Sequence, residues 1–291
     1  MNKPFAITPV HDLLLCGSAD MPIGLYHLHL ATAEQLTRLH YKAGMLKTVS
    51  KRLKVLVDNG YVQADAKPTK KGNGGYYYAL TQKGTHYLDL CGFDVSEALR
   101  PDKEMDRHLF FLEHTLDLND IYIAALQLKH VSGSCYLHRR ISERSFKREP
   151  LKFQYGNENL RLIPDGFLDF RIRAQDGPER YVGLVLEHDR GTEQQEHFKR
   201  RIKLYKAFLG SGTAKQALGL PAVIVAFTTF TGAKRAAKMR EWTFQELQGN
   251  PQLLPLFIFA ELPKPLEPKH LLFERRWYTL TDGQPIALLE G

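Results

Sequence analysis

Cysteine and tryptophan are scarce in this sequence, at three and two among 291 residues. Cys16, Cys91 and Cys135 stand far apart with no C-x-x-C pair, which excludes a disulfide scaffold, a zinc knuckle and a dithiol redox centre. Long apolar runs are missing too. The longest, 221–227, falls far short of the roughly 20 residues that span a bilayer. The first residues show no signal-peptide pattern, so the expectation is a soluble cytoplasmic protein with reduced thiols and no membrane partner. Repeats and low-complexity segments are absent. The remaining composition, 43% hydrophobic and 25% charged, is that of a globular chain long enough for about two domains.

Acidic residues are thin in one stretch. Between Thr32 and Gly84 ten Lys or Arg stand against three Asp or Glu, a net +7 out of the chain's +8. A field concentrated in this way suits phosphate backbones, where each neutralised phosphate releases counterions. The pattern in the same stretch is specific. Thr32 and Gln35 form a capping box opening a helix with Leu36 and Leu39 on one face. A turn at Gly44 leads to a second helix over 45–59, with Leu46, Val49, Leu53 and Leu56 facing a core. Lys47, Ser50, Lys51 and Lys54 fall on another face, and Asn59-Gly60 closes the helix. A hairpin follows, with a tip bearing Lys70 and Lys71 and a β-prone run 76–80, and Thr81 caps a further helix. Helix, helix, hairpin, helix predicts a winged helix-turn-helix over 1–92 that binds double-stranded DNA. The basic helix would enter the major groove and the Lys70–Lys71 tip would touch phosphates. Just upstream, His27 and His29 have the His-x-His spacing of a strand-borne metal site, but their place before a helix-turn-helix favours packing at the start of a helix.

Segment 93–132 reads as a helical connector, its helix over 103–131 divided or kinked at 117–120. From 133 to 291 strands alternate with helices, an α/β pattern. Strands are expected near 135–141, 167–173, 181–187, 221–228 and 256–260, and helices over 192–209 and 233–247. Chemistry concentrates at two of these strands. Pro164-Asp165-Gly166 opens one. The next is apolar until Glu187 and Asp189, whose spacing puts both carboxylates on one face and His188 on the other. Three converging carboxylates repel unless protonated or metal-bound, and such oxygen donors suit Mg2+ or Mn2+. A metal so held can polarise a phosphodiester and activate water. Thr192 and Gln195 predict a second capping box, and Lys199 and Lys203 lie four apart on the helix it would open, in reach of a phosphate at the strand ends.

Pro164-Asp165 followed by a strand ending Glu187-x-Asp189 resembles the restriction-endonuclease-like PD-(D/E)xK arrangement. Over about residues 30–210 the chain resembles the replication-relaxation family. The resemblance rests on the winged helix, His114 with Asn119-Asp120, Pro-Asp, then Leu-Glu-His-Asp-Arg-Gly-Thr-Glu with Lys203 and Tyr205. This family includes MOB-C-class conjugative relaxases, metal-dependent enzymes that nick the transfer origin of mobile plasmids. The resemblance implies an α+β chain: an N-terminal winged helix followed by a restriction-endonuclease-like mixed-sheet domain. It makes Asp165, Glu187 and Asp189 both catalytic residues and ligands to Mg2+ or Mn2+. Asp189 stands where the wider superfamily has its catalytic lysine, so the cation falls to Lys203 first and Lys199 second. His114, Asn119 and Asp120 are expected to pack or cap helices. The implied function is nicking of one strand at an origin, with relaxosome or coupling proteins and a second copy of the chain as further partners. The alternative is a non-catalytic DNA-binding regulator or replication accessory protein with a degenerate nuclease fold.

Overall fold

The computed structural model describes residues 20–69, 72–95, 105, 109–173 and 177–289, with the side chains of 20, 68, 69, 72 and 73 left aside. Lys70 and Lys71, at the expected hairpin tip, lie outside the described residues. The chain divides into two compact units, one holding the described residues up to Ile123 and the other those from Ala124. Its class is α+β, with helices and a six-stranded mixed sheet.

The unit before Ala124 opens with α1 (Asp20–Leu28), whose Met21, Ile23, Leu25, Tyr26 and Leu28 are all buried. His27 lies in the last turn of this helix and His29 follows the helix with φ +66°, so the two histidines do not share a strand face. A short strand β1 (Ala31–Thr32) leads into α2 (Ala33–His40). The predicted capping box is present: Gln35 N–H donates to Thr32 Oγ1 and Thr32 N–H to Gln35 Oε1, each at 3.2 Å. Helix α3 (Leu46–Asp58) buries Val49 and Leu53 and closes at Asn59, with Gly60 in the left-handed region at φ +73°. Leu46, expected inside, is 38% exposed because it is the first residue of the helix, ahead of the buried turn. Strands β2 (Val62–Thr69) and β3 (Gly72–Leu80) form an antiparallel hairpin, and β1 joins the free side of β3. The hairpin register slips between Ala66 and Pro68, where proline offers no N–H to the ladder. Thr81 caps α4 (Gln82–Leu90) by accepting from Gly84 N–H at 3.0 Å. A Cβ on Gly84 would lie 2.1 Å from the Tyr61 carbonyl, so only glycine permits this close approach.

Helix α5 (Leu109–Val131) is unbroken, against the predicted kink at 117–120. Asn and Asp inside a helix compete for its backbone, but here both side chains are used elsewhere. Asn119 Nδ2 donates to the carbonyls of Leu28 (3.2 Å) and Leu30 (2.7 Å). Asp120 accepts from Arg38 at 2.7 Å and from Gln35 Nε2 at 3.1 Å. These two residues therefore pack α5 against α1 and α2.

The unit from Ala124 carries β4 (Cys135–Ser142), α6 (Glu143–Arg148), a separate hairpin β5 (Leu151–Tyr155) with β6 (Glu158–Leu162), then β7 (Gly166–Ile172) and β8 (Arg180–His188). After β8 come α7 (Gln195–Gly210), α8 (Ala214–Leu218), β9 (Ile224–Thr229), α9 (Ala233–Leu247), β10 (Phe257–Glu261), α10 (Lys269–Leu272) and β11 (Tyr278–Thr279). The sheet order is β11-β10-β9-β8-β7-β4. Strands β4, β7 and β8 run antiparallel, whereas β8, β9 and β10 are parallel. The carboxyl ends of those three strands therefore share one edge of the sheet, the edge where open α/β sheets place their sites. Phe167, Val185, Val225, Phe227, Phe257 and Phe259 meet Phe198, Ile202, Tyr205 and Phe208 of α7 and Met239 and Leu247 of α9 in one buried core. Phe227 and Phe259 stack with ring centroids 5.5 Å apart.

One residue gives the N-terminal unit a pH dependence. His40 Nε2 is buried with no hydrogen-bond partner among the described residues, at the place where a Gly24 Cβ would come within 2.5 Å of it. Burial lowers its pKa from 6.5 to about 4. The unfolded chain takes up this proton below about pH 6.5 and the folded unit only near 4, so stability is complete above that window and lost as pH falls through it, by up to roughly 3 kcal/mol. Amide hydrogen exchange of residues 20–69 is expected to accelerate between pH 6.5 and 4 after correction for intrinsic rates, and His40→Gln to flatten that dependence.

Candidate functional site

The site is built where β8 ends. Strand β8 pairs with β7 so that Gly166 faces Leu186, and one further step along that register sets Asp165 beside Glu187. Asp165 Oδ2 accepts the backbone N–H of His188 at 2.7 Å. Asp189 N–H continues the ladder to β9 by donating to the Thr228 carbonyl at 2.9 Å. Alternation sends the His188 ring to the other face, where Nδ1 lies 3.0 Å from Thr228 Oγ1 and the ring 5.0 Å from that of Phe230. Glu187 and Asp189 are both buried.

Two arginines and a tyrosine take up these carboxylates. Arg201 Nη1 donates to Glu187 Oε2 at 2.6 Å, and Tyr205 Oη donates to Glu187 Oε1 at 2.5 Å. Arg201 also holds Glu193 through Nη2 at 2.9 Å. Asp189 receives a two-pronged bond from Arg235, Nε to Oδ1 and Nη2 to Oδ2, each at 2.7 Å. Arg235 Nη2 reaches the Glu193 carbonyl at 2.8 Å as well, and its guanidinium lies over the Trp242 ring. Gly191 takes φ +81° and donates its N–H to Asp189 Oδ1 at 2.5 Å, which turns the chain out of β8.

Burial, together with the neighbouring Asp165 and Glu193 carboxylates, pushes the Glu187 carboxyl up to about 8, against the downward pull of Arg201 and the Tyr205 hydrogen bond. Burial first, and Glu187 second, raise the Tyr205 phenol well above its ordinary value, so it stays a neutral donor. Arg201 is held firmly protonated, chiefly by Glu187.

Several expectations change against this geometry. Lys199 and Lys203 do not face the carboxylates: both lie beside Glu246 of α9, at 3.6 and 3.8 Å. Two residues along a helix turn a side chain by about 200°, so the ridge that reaches the strand end carries Arg201 and Tyr205 instead. Sequence reasoning missed Arg201 and Arg235. The available signals were the Arg-Tyr pair four apart beside the buried stripe, and the βα step that brings the start of α9 to the sheet edge. The Thr192 capping box is also absent; α7 begins at Gln195, with no side-chain cap at Gln194. Residues 190–194 are drawn instead to Arg201 and Arg235 through Glu193.

Asp165, Glu187 and Asp189 offer the hard oxygen donors that Mg2+ or Mn2+ requires. As arranged, they do not fit a divalent ion held by all three. Both oxygens of Glu187 and both of Asp189 carry hydrogen bonds, and the three residues do not bring one oxygen each within 4.8 Å of the other two. In the N-terminal unit, Lys47, Ser50, Lys51 and Lys54 are all exposed on α3, with Lys54 paired to Asp58 at 2.9 Å. Exposed Arg52 joins them, anchored by a 2.6 Å bond to Tyr41 Oη. Among the described residues no helix is long and apolar enough to cross a membrane.

Removing Arg201 strands a buried acid. Arg201→Ala is expected to cost roughly 3 kcal/mol, near the low end for breaking a buried pair, because Glu187 can take a proton. Denaturant unfolding of Arg201→Ala with Glu187→Gln should recover most of that loss. The raised Glu187 pKa also sets a pH slope. The folded unit holds this proton up to about pH 8 and the unfolded chain only to about 4.5, so stability declines as pH rises through that window. Hydrogen exchange of residues 135–260 should therefore depend on pH in the opposite sense to that of residues 20–69, and Glu187→Gln should remove the dependence.

No curated protein and no solved structure matches the chain. The model of one family, replication-relaxation, matches residues 24–224, which include α2, α3, the hairpin β2–β3 and the whole Asp165–Glu187–Asp189 cluster. The chain belongs to the replication-relaxation family, and this membership implies an interaction with DNA and a role in plasmid or mobile-element replication or relaxation.

Proposed function

We propose that the chain is a duplex-DNA-binding protein acting at a plasmid or mobile-element origin, and that its N-terminal unit reads the duplex as a winged helix. The observation that carries this reading is the exposed row Lys47, Ser50, Lys51 and Lys54 on α3, in a segment that concentrates nearly all the chain's net charge. Helix α3 would lie in the major groove, with the β2–β3 hairpin alongside on the backbone. In this reading the acidic cluster of the α/β unit is a brace: its carboxylates hold α7 and α9 to the sheet through Arg201 and Arg235. Lys47→Ala with Lys51→Ala is expected to weaken binding to a duplex origin fragment by about tenfold or more. It should also reduce the slope of log K against log salt by about 2, since two phosphate contacts are lost. Unchanged duplex affinity in that variant would reject the reading.

A second reading, nicking of one strand with Mg2+ or Mn2+ on a restriction-endonuclease-like frame, has one observation in its favour. Four carboxylates, Asp165, Glu187, Asp189 and Glu193, act on one another beside two guanidiniums. That surplus of negative charge is what a divalent ion would balance. It requires Arg201 and Arg235 to leave the cluster. Supercoiled plasmid carrying the cognate origin discriminates the readings: the brace gives no relaxation with or without EDTA, whereas the nickase gives EDTA-sensitive relaxation that disappears in Glu187→Ala.

A further inference from the structure

A cleft of about 380 Å³ opens beside α9 at strand β10 and the edge strand β11, apart from the acidic cluster. Three arginines line it, Arg240, Arg275 and Arg276, together with Tyr278, Phe259 and the single acid Glu261. The space exists because α9 turns Ala233, Ala236 and Ala237 toward it, side chains too short to fill it. Arg240 lies over the Tyr278 ring, its guanidinium carbon 5.4 Å from the centroid. Arg276 is shared with Glu274 at 2.7 Å. Arg275 is exposed and makes no hydrogen bond or ion pair among the described residues. Lys234 and Lys238 are exposed on the same helix.

We propose that this cleft binds one nucleotide unit: its phosphate on Arg275 and Arg240, and its base against the Tyr278 ring beside Arg240. Planar guanidinium forks match phosphate oxygens, and aromatic rings and guanidinium planes are surfaces on which a base can stack. The volume suits one nucleotide rather than a length of strand. The site lies at the end of β10, in residues 233–283, beyond the span 24–224 matched by the family. Its position extends the DNA-binding reading. Helix α9 sends Arg235 to Asp189 and Arg240 into the cleft, so a strand seated there runs along the same sheet edge as the acidic cluster. The ligand is either a unit of single-stranded DNA or a free nucleotide, and only the choice of a strand rests on the DNA-binding reading.

Fluorescence anisotropy on the full chain tests it, with a labelled oligothymidylate of about 12 nucleotides as strand, mant-ATP as free nucleotide and a labelled origin duplex as control. Arg240→Ala with Arg275→Ala is expected to weaken the strand or mant-ATP by about tenfold, and Arg275→Ala alone by about threefold. The single variant removes an exposed side chain that supports nothing else. Glu261→Gln should tighten binding about twofold by removing a like charge beside the phosphate. Duplex affinity should stay within about twofold in all of these, because it resides on Lys47 and Lys51. Loss on the strand identifies the strand as ligand; loss on mant-ATP alone identifies a free nucleotide. No binding of either probe by wild type, unchanged binding in the double arginine variant, or an equal loss on the duplex overturns the cleft. If wild type binds the strand but not the duplex, the cleft stands and the winged-helix reading fails.

Discussion

A strand that stays apolar to its last residues and then ends in carboxylates imposes a demand on whatever packs around it. Glu187 and Asp189 leave β8 already buried. An isolated ion in that environment would cost several kcal/mol, so each acid must meet a cation or take a proton. Glu187 does some of both: Arg201 and Tyr205 hold it, yet its proton affinity is raised. Asp189 meets Arg235 head-on. These contacts fix the rotation of α7 about its axis and the position of the first turn of α9, while Glu193 joins the two arginines through its side chain and its carbonyl. The edge of the sheet where a ligand would be expected is thus organised by charge compensation before any ligand arrives.

The kind of cation matters for what the cluster can do. A lysine beside carboxylates can lose its proton and move on a flexible stem, which makes it usable in chemistry. Arginine keeps its charge throughout the physiological range and offers a rigid fork. With both oxygens of Asp189 in the fork of Arg235, and Lys199 and Lys203 turned to Glu246, the cluster has the character of a clamp. An ion in that place would have to displace the two 2.7 Å bonds between Arg235 and Asp189, which are charge-assisted on both sides.

Local signals were readable where the chain's own chemistry decides the outcome. The Thr32 capping box, the Asn59-Gly60 helix end and the Thr81 cap all appear, because each is settled within a few residues. The alternation that divides Glu187 and Asp189 from His188 was equally legible, since a strand has only two faces. What failed depended on distant partners. Thr192 has the spacing of a cap, but Glu193 is held by Arg201 eight residues on, and the helix starts at Gln195. The break expected at 117–120 is missing because Asn119 and Asp120 bond to α1, its following turn and α2. The lysine pair on α7 has the charge and spacing to serve the site, whereas the neighbouring ridge meets the strand end, and no periodicity states which of two basic ridges faces an acid.

Net charge hides a site in the same way. Outside 32–84 the chain's formal charge is only +1, which suggests nothing to bind. Within the α/β unit, however, the folded sheet separates what the sum cancels: acids gather at the end of β8, and three arginines gather at the cleft by β10 and β11. Separation of this sort costs energy unless each group is satisfied locally, and most are. Arg235 and Arg201 neutralise acids, Arg276 is shared with Glu274, and Arg240 rests on Tyr278. Arg275, exposed at the cleft, keeps its donors for solvent. A fixed positive site with space beside it and a donor fork uncommitted is a place where an anion gains more than it loses in hydration, and that asymmetry, rather than the total charge, is what the sheet edge contributes to recognition.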